Sequence, residues 1–231
     1  MKFVSVVQHT SADYLGLIED HLEGRGIRFK YFRPFTEGTP LPAPADVGDA
    51  LFLLGGGPWG TAGARNLPTL KEELSLIYAC LMQSKPVVGI ELGAQLLALA
   101  ADGSSTAHPL AFDVGHGRRV VDDALNGFLP ERFPLVSYMR DRPLPPAYAR
   151  ILAEDEKGGP ALFQIGENAF GFTGHPGFKP AIAEDLIMEF EENPPDPAAA
   201  LERLRGMKRE IEDALVPIMT GLIQQTGLMG S

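Results

Sequence analysis

Hydrophobic positions in this chain follow two alternating rhythms. Lys2–Gln8, Ala50–Leu54 and Val87–Ile90 are short, nearly uninterrupted runs of β-branched and apolar residues, the pattern of strands covered on both faces. Arg28–Phe32 reads as a further strand. Between these runs the period lengthens. Tyr14, Leu15, Leu17, Ile18 and Leu22 recur at helical spacing after the capping side chains of Thr10–Asp13, and Gly24 and Gly26 close the segment. Leu70–Met82 carries the same helical period, Leu92–Ala101 reads as a helix that is apolar almost throughout, and Pro34–Val47, rich in Pro and Gly, reads as a surface connection. Short apolar strands alternating with helices predict an α/β fold: a mostly parallel sheet with helices on both faces.

The pattern changes after about residue 105. Short strand-like pieces are expected around Arg118–Val121, Phe133–Tyr138, Ala149–Ala153, Ala161–Ile165 and Ala169–Thr173. Helical periodicity returns at Pro180–Glu192. After the Asn193-Pro194-Pro195 break it returns again as a long amphipathic stretch over about 197–225, with a solvated charged face. No repeat and no linker-like composition appears, so the expectation is one domain over 1–231 with a C-terminal helical extension.

Composition narrows the function classes. The 20 basic and 30 acidic side chains leave a formal charge of −10, which argues against a nucleic-acid surface. No apolar run reaches the ~18–20 residues of a membrane helix, and the start at Met1–Val7 does not read as a signal peptide. A single cysteine, Cys80, excludes an internal disulfide and a cysteine-based metal site and fits a reducing, cytoplasmic setting. His108, Asp113 and His116 match no metal-binding spacing, so no metal and no cofactor is expected.

The richest segment is Gly89-Ile90-Glu91-Leu92-Gly93-Ala94-Gln95. A buried strand ends there, one residue stands on a tight turn and a helix begins at once. That is the layout of a nucleophile elbow, which lifts one side chain at the carboxyl end of a sheet. The segment resembles the elbow of class I glutamine amidotransferases, Gly-(Ile/Val)-Cys-Leu-Gly-X-Gln. Leu53-Leu54-Gly55-Gly56-Gly57-Pro58 resembles that family's Gly-Gly-Pro loop, and Gly171-Phe172-Thr173-Gly174-His175-Pro176-Gly177 resembles its His-Pro-Glu segment. The resemblance spans roughly residues 1–190 and implies a flavodoxin-like fold.

What the resemblance implies chemically is a Cys-His-Glu triad, in which the cysteine attacks the glutamine carboxamide. In this chain Glu91 stands at the cysteine position, His175 is kept and Gly177 replaces the orienting glutamate. The backbone N–H groups of Gly57 and Leu92 correspond to the oxyanion hole, and Gly56, Trp59 and Gln95 to the substrate pocket. Tyr138-Met139-Arg140-Asp141 departs from the family's aromatic-His-Gly-Asp segment. Two readings follow. In the first, thioester glutaminase chemistry is lost, Glu91 fills the old carboxamide pocket by accepting bonds from Gly57 and Leu92, and the protein is a binding or regulatory pseudoenzyme. In the second, Glu91 and His175 form an acid–base pair in an enzyme of another class. The resemblance also implies a partner in the form of a separate acceptor or synthetase chain, and glutamine or a carboxylate as small-molecule ligand. His9, at the end of the first strand, is expected near the crevice, flanked by Trp59 and Phe172; His21 is expected on a helix surface.

Overall fold

The computed structural model describes residues 1–36 and 40–229; part of the expected connection at 34–47 lies outside them. Strand β1 (Phe3–Val7) is followed by α1 (Leu17–Glu23), β2 (Arg28–Phe32), a short 3-10 turn at Pro44–Asp46, β3 (Ala50–Leu53), α2 (Leu70–Met82), β4 (Val87–Ile90) and α3 (Leu92–Ala100). The second half carries β5 (Ser104–Thr106), β6 (Ala111–Arg119), β7 (Arg132–Met139), β8 (Arg142–Leu144), β9 (Arg150–Asp155), β10 (Pro160–Ile165) and β11 (Ala169–Phe172). Helices α4 (Pro180–Glu189), α5 (Pro197–Gly206) and α6 (Lys208–Gln225) complete it.

One nine-stranded sheet runs through both halves in the order β2-β1-β3-β4-β11-β10-β9-β6-β7. Its first five strands are parallel, and from β10 onward the pairing is antiparallel. The small β5–β8 pair lies apart. β3, β4 and β11 are buried at every position, which explains why their sequences show no alternation. Each strand sends alternate residues to opposite faces. Val4, Val6, Phe52, Val88, Ile90 and Phe170 meet α1 and α6 on one side; Val7, Leu51, Leu53, Val87 and Phe163 meet α2 and α3 on the other. A third cluster packs α4 and α5 on Phe112, Val136 and Tyr138.

Two expectations need correction. The strand anticipated at Arg118–Val121 begins at Ala111 instead. Gly115 and Gly117 obscure the pattern of its first part; a Cβ on Gly117 would stand 2.6 Å from the Phe133 ring. The long terminal helix breaks at Gly206–Met207 into α5 and α6, which bury separate apolar stripes. Among the described residues no helix is long and apolar enough to cross a membrane.

Candidate functional site at the elbow

Glu91 ends β4 and caps α3 with φ +53° and ψ −107°, a backbone conformation that costs a non-glycine residue ~1–3 kcal/mol. The strain is imposed from both sides. The Glu91 N–H continues the ladder to the carbonyl of Phe172 at 2.8 Å, while α3 packs so tightly on β3 that a Cβ on Gly93 would stand 2.2 Å from the Leu53 carbonyl oxygen. The Glu91 side chain is fully buried. Its Oε1 accepts a hydrogen bond of 2.6 Å from the Tyr138 N–H of β7. This differs from the expected donors, Gly57 and Leu92: the carboxylate turns inward toward β7, and Gly57 instead packs against Leu186 and Phe190.

The other oxygen of Glu91 faces Asp13, from the loop between β1 and α1. Asp13 Oδ2 and Glu91 Oε2 lie 2.0 and 2.3 Å from the point where a Cβ on Gly55 would stand, so only glycine leaves room for both. Both Asp13 oxygens and Glu91 Oε2 are buried and receive no N–H or O–H from the described residues. Burial pushes the Asp13 carboxyl up to about 7. Burial, and then the charge of Asp13, holds Glu91 well above the usual carboxylate range.

Beside this pair lies a second buried one. His9 Nδ1 faces the Gly55 carbonyl at 3.0 Å, and its Nε2 faces Glu73 Oε2 at 2.8 Å. Both ring nitrogens meet acceptors, so the geometry calls for the imidazolium. Burial opposes that charge most strongly, but Glu73, the Gly55 carbonyl and the charge of Asp13 together raise the His9 pKa. Thr69 Oγ1 donates to the other Glu73 oxygen at 2.6 Å.

His175 does not meet Glu91. Its Nε2 donates to the Tyr14 carbonyl at 2.8 Å and its Nδ1 accepts from the Gly177 N–H at 3.1 Å. Burial lowers its pKa to about 4, which leaves a neutral ring with both nitrogens engaged by backbone. A side chain on Gly177 would be crowded: its Cβ would stand 3.0 Å from Ile18 N and Cγ1, at the start of α1, which would have to give by a few tenths of an ångström.

Gln95 is likewise occupied. Its amide nitrogen donates to the Arg140 carbonyl at 2.7 Å, and its oxygen accepts from Thr61 Oγ1 at 2.7 Å. The 138–141 segment closes over this region. Arg140 Nε donates to the Pro58 carbonyl at 3.0 Å and its guanidinium pairs with Glu192. Asp141 accepts from the N–H groups of Thr61 and Ala62 at 2.9 Å and of His108 at 3.1 Å. Trp59 is half-buried and stacked by the Arg65 guanidinium, 4.7 Å from its ring centre. Phe172 is buried in the core and His21 hydrogen-bonds Arg25 on the surface of α1. Cys80 sits inside the α2–α3 core with its thiol pushed up by burial.

Clefts of about 690 and 600 Å³ open around His116 and along Asp113, Ser137, Met139 and Lys157; neither of these is lined by Glu91, Gln95 or His175. The elbow is a closed, polar interior. Asp13 and Glu73, its two further acids, were not picked out in the sequence. Asp13 passes for a helix cap. Glu73 did leave a signal, since it shares the i, i+3, i+4, i+7 stripe with Leu76, Ile77 and Cys80 and so lies on the apolar face of α2.

The class this architecture defines is the glutamine amidotransferase fold. A glutamine amidotransferase from Methylobacillus flagellatus matches over 96% of each chain, at 23% identity and a TM-score of 0.76. Another, from Thermotoga maritima, matches over 97% of this chain and 98% of its own, at 24% identity and a TM-score of 0.78. A protein described as a GMP synthase subunit, from Thermoplasma acidophilum, matches over 91% of this chain and 98% of its own, at 18% identity and a TM-score of 0.54. No family model matches the sequence, and no curated protein is similar to it in sequence.

Proposed function

We propose that this chain is a pseudoenzyme on the glutamine amidotransferase fold, in which Glu91 plugs the pocket that would receive a substrate carboxamide, and that it works by binding or regulating a separate subunit. The observation that carries the reading is the seating of the Glu91 carboxyl: fully buried, bonded to Tyr138 and set against Asp13. The sequence resemblance supports it by aligning Glu91 with a cysteine nucleophile, His175 with the base and Gly177 with the orienting glutamate. The same resemblance assigns the oxyanion hole to Gly57 and Leu92 and the substrate pocket to Gly56, Gln95 and Trp59. Likeness to one component of a larger synthase supports the partner. The alternative acid–base enzyme has weaker support, because backbone groups hold both nitrogens of His175 and the neighbour of Glu91 is Asp13.

The test is ammonia release from glutamine by the purified protein, with calorimetric titration of glutamine alongside. Neither turnover nor binding is expected. Ammonia above the level of a protein-free control would overturn the proposal.

A further inference from the structure

Three of the four oxygens on Asp13 and Glu91 are buried acceptors without a donor among the described residues, pressed together over the Cα of Gly55. Two carboxylates cannot both stay ionised in such a place, because each pays desolvation and repels the other. A single hydrogen resolves the conflict. With Glu91 Oε2 protonated, its O–H donates to the Asp13 carboxylate, the remaining charge is shared, and Oε1 keeps its bond from the Tyr138 N–H.

We propose that Asp13 and Glu91 form a proton-binding site: one proton held between them seats Glu91 in the elbow, and its release to alkaline solvent unseats Glu91 and opens the pocket. The inference rests on Glu91 being the plug, and adds what holds the plug in place.

The surrounding charges are consistent with one retained negative charge. From the end of β1, His9 presents a cation that is already matched by Glu73 of α2. From α4, Glu189 accepts the Ala12 N–H at 3.1 Å and adds negative charge beside Asp13. From β8, Arg142 acts on Glu91 from a distance while its guanidinium is spent on Asp113 and the carbonyls of Met139 and Asp141. His175 is neutral and turned to the backbone. His9 draws the Asp13 carboxyl down against its burial, but among the described residues no cation bonds to either carboxyl group, so two ionised carboxylates would repel each other and separate.

Glu91→Gln is the decisive variant, because its amide mimics the protonated acid: Nε2 donates to Asp13 and Oε1 still accepts from Tyr138. The full-length protein and this variant are compared by infrared difference spectroscopy and by exchange of the Tyr138 amide hydrogen, at pH 6 to pH 9. The protein is expected to show the carbonyl stretch of one buried carboxylic acid at pH 6, lost on the alkaline side and missing from Glu91→Gln. Protection of the Tyr138 amide, corrected for intrinsic exchange, is expected to fall by up to about tenfold per pH unit once the proton is lost, and to stay level in the variant. If Glu91→Gln does not fold, the infrared signal and its loss in Asp13→Asn decide alone. A spectrum at pH 6 without a buried carboxylic acid, or equal pH dependence of Tyr138 protection in protein and variant, would overturn the proposal. Ammonia release from glutamine would overturn the pseudoenzyme reading instead and leave the carboxylic-acid signal in place, so the two failures are distinguishable.

Discussion

Gly55→Ala should be among the most damaging single-methyl changes in this protein. The added Cβ would stand 2.0 Å from Asp13 Oδ2 and 2.3 Å from Glu91 Oε2, roughly 1 Å or more inside ordinary contact on both sides. Both carboxyl groups are fully buried and Glu91 is also held by its bond from Tyr138, so the clash must be relieved by shifts inside a packed interior. Overpacking of this kind costs about 1–3 kcal/mol. Forcing the carboxyl groups apart leaves a buried polar group unbonded and adds about 1–3 kcal/mol more. With a urea slope of about 2–3 kcal/mol per molar, the denaturation midpoint should fall by about 0.7–3 M. The assay is equilibrium urea unfolding at pH 6, followed by circular dichroism. A cycle with Asp13→Ala isolates the cause: once that carboxyl is gone, Gly55→Ala should cost at least about 1 kcal/mol less than it does in the unmodified protein. A loss below about 0.5 kcal/mol, or the same loss in both backgrounds, would refute the crowding argument.

Restoring a thiol should not restore chemistry. Glu91→Cys is expected to release no ammonia from glutamine, since Gln95 stays bonded to Arg140 and Thr61 and His175 to backbone; adding Gly177→Glu should lower the melting temperature by at least about 4 °C, because its side chain meets Ile18, and a scanning calorimeter reads that shift. His175 sets an acid limb. Its folded pKa is depressed to about 4, so between the ordinary imidazole value and that one the unfolded chain takes up a proton that the folded chain refuses. Stability is therefore lost as pH falls through this window, by up to about 3 kcal/mol, and His175→Gln, which keeps one donor and one acceptor, should flatten that limb in urea titrations. His9 and the carboxyl pair, whose folded pKa values are raised, slope the other way and lose their contribution as pH rises.

The first half of the fold was legible because β1, β3 and β4 are short apolar runs, α1 and α2 keep a helical period, and α3, apolar almost throughout, is longer than any of the parallel strands. The elbow was legible because Gly89 and Gly93 bracket a residue that must turn. The antiparallel half was harder. β5 and β8 are only Ser104–Thr106 and Arg142–Leu144, too short to establish any period, and the glycines of β6 interrupt its pattern. At the site, position was readable and partnership was not. That Glu91 would stand on the turn at the carboxyl end of the sheet followed from the elbow, but its neighbours come from the β1–α1 loop and from β7, which nothing in the local sequence joins. A backbone N–H such as that of Tyr138 leaves no trace in a side-chain pattern. Gly55 showed only as one of three consecutive glycines, with nothing to say that two carboxyl groups meet above it.

The insertion of β11 between β4 and β10 also sets an order of assembly. β2, β1, β3 and β4 lie within the first 90 residues and can align as soon as they leave the ribosome, whereas β4 gains its other neighbour only when Ala169–Phe172 arrives. Until then β4 is an edge strand and Glu91 stands in water as an ordinary anion. Docking of β11 and β7 takes it out of water and gives it its bond to Tyr138. On the proposed chemistry, closing the centre of the sheet consumes a hydrogen ion, so this late, long-range pairing should slow as the medium becomes more alkaline.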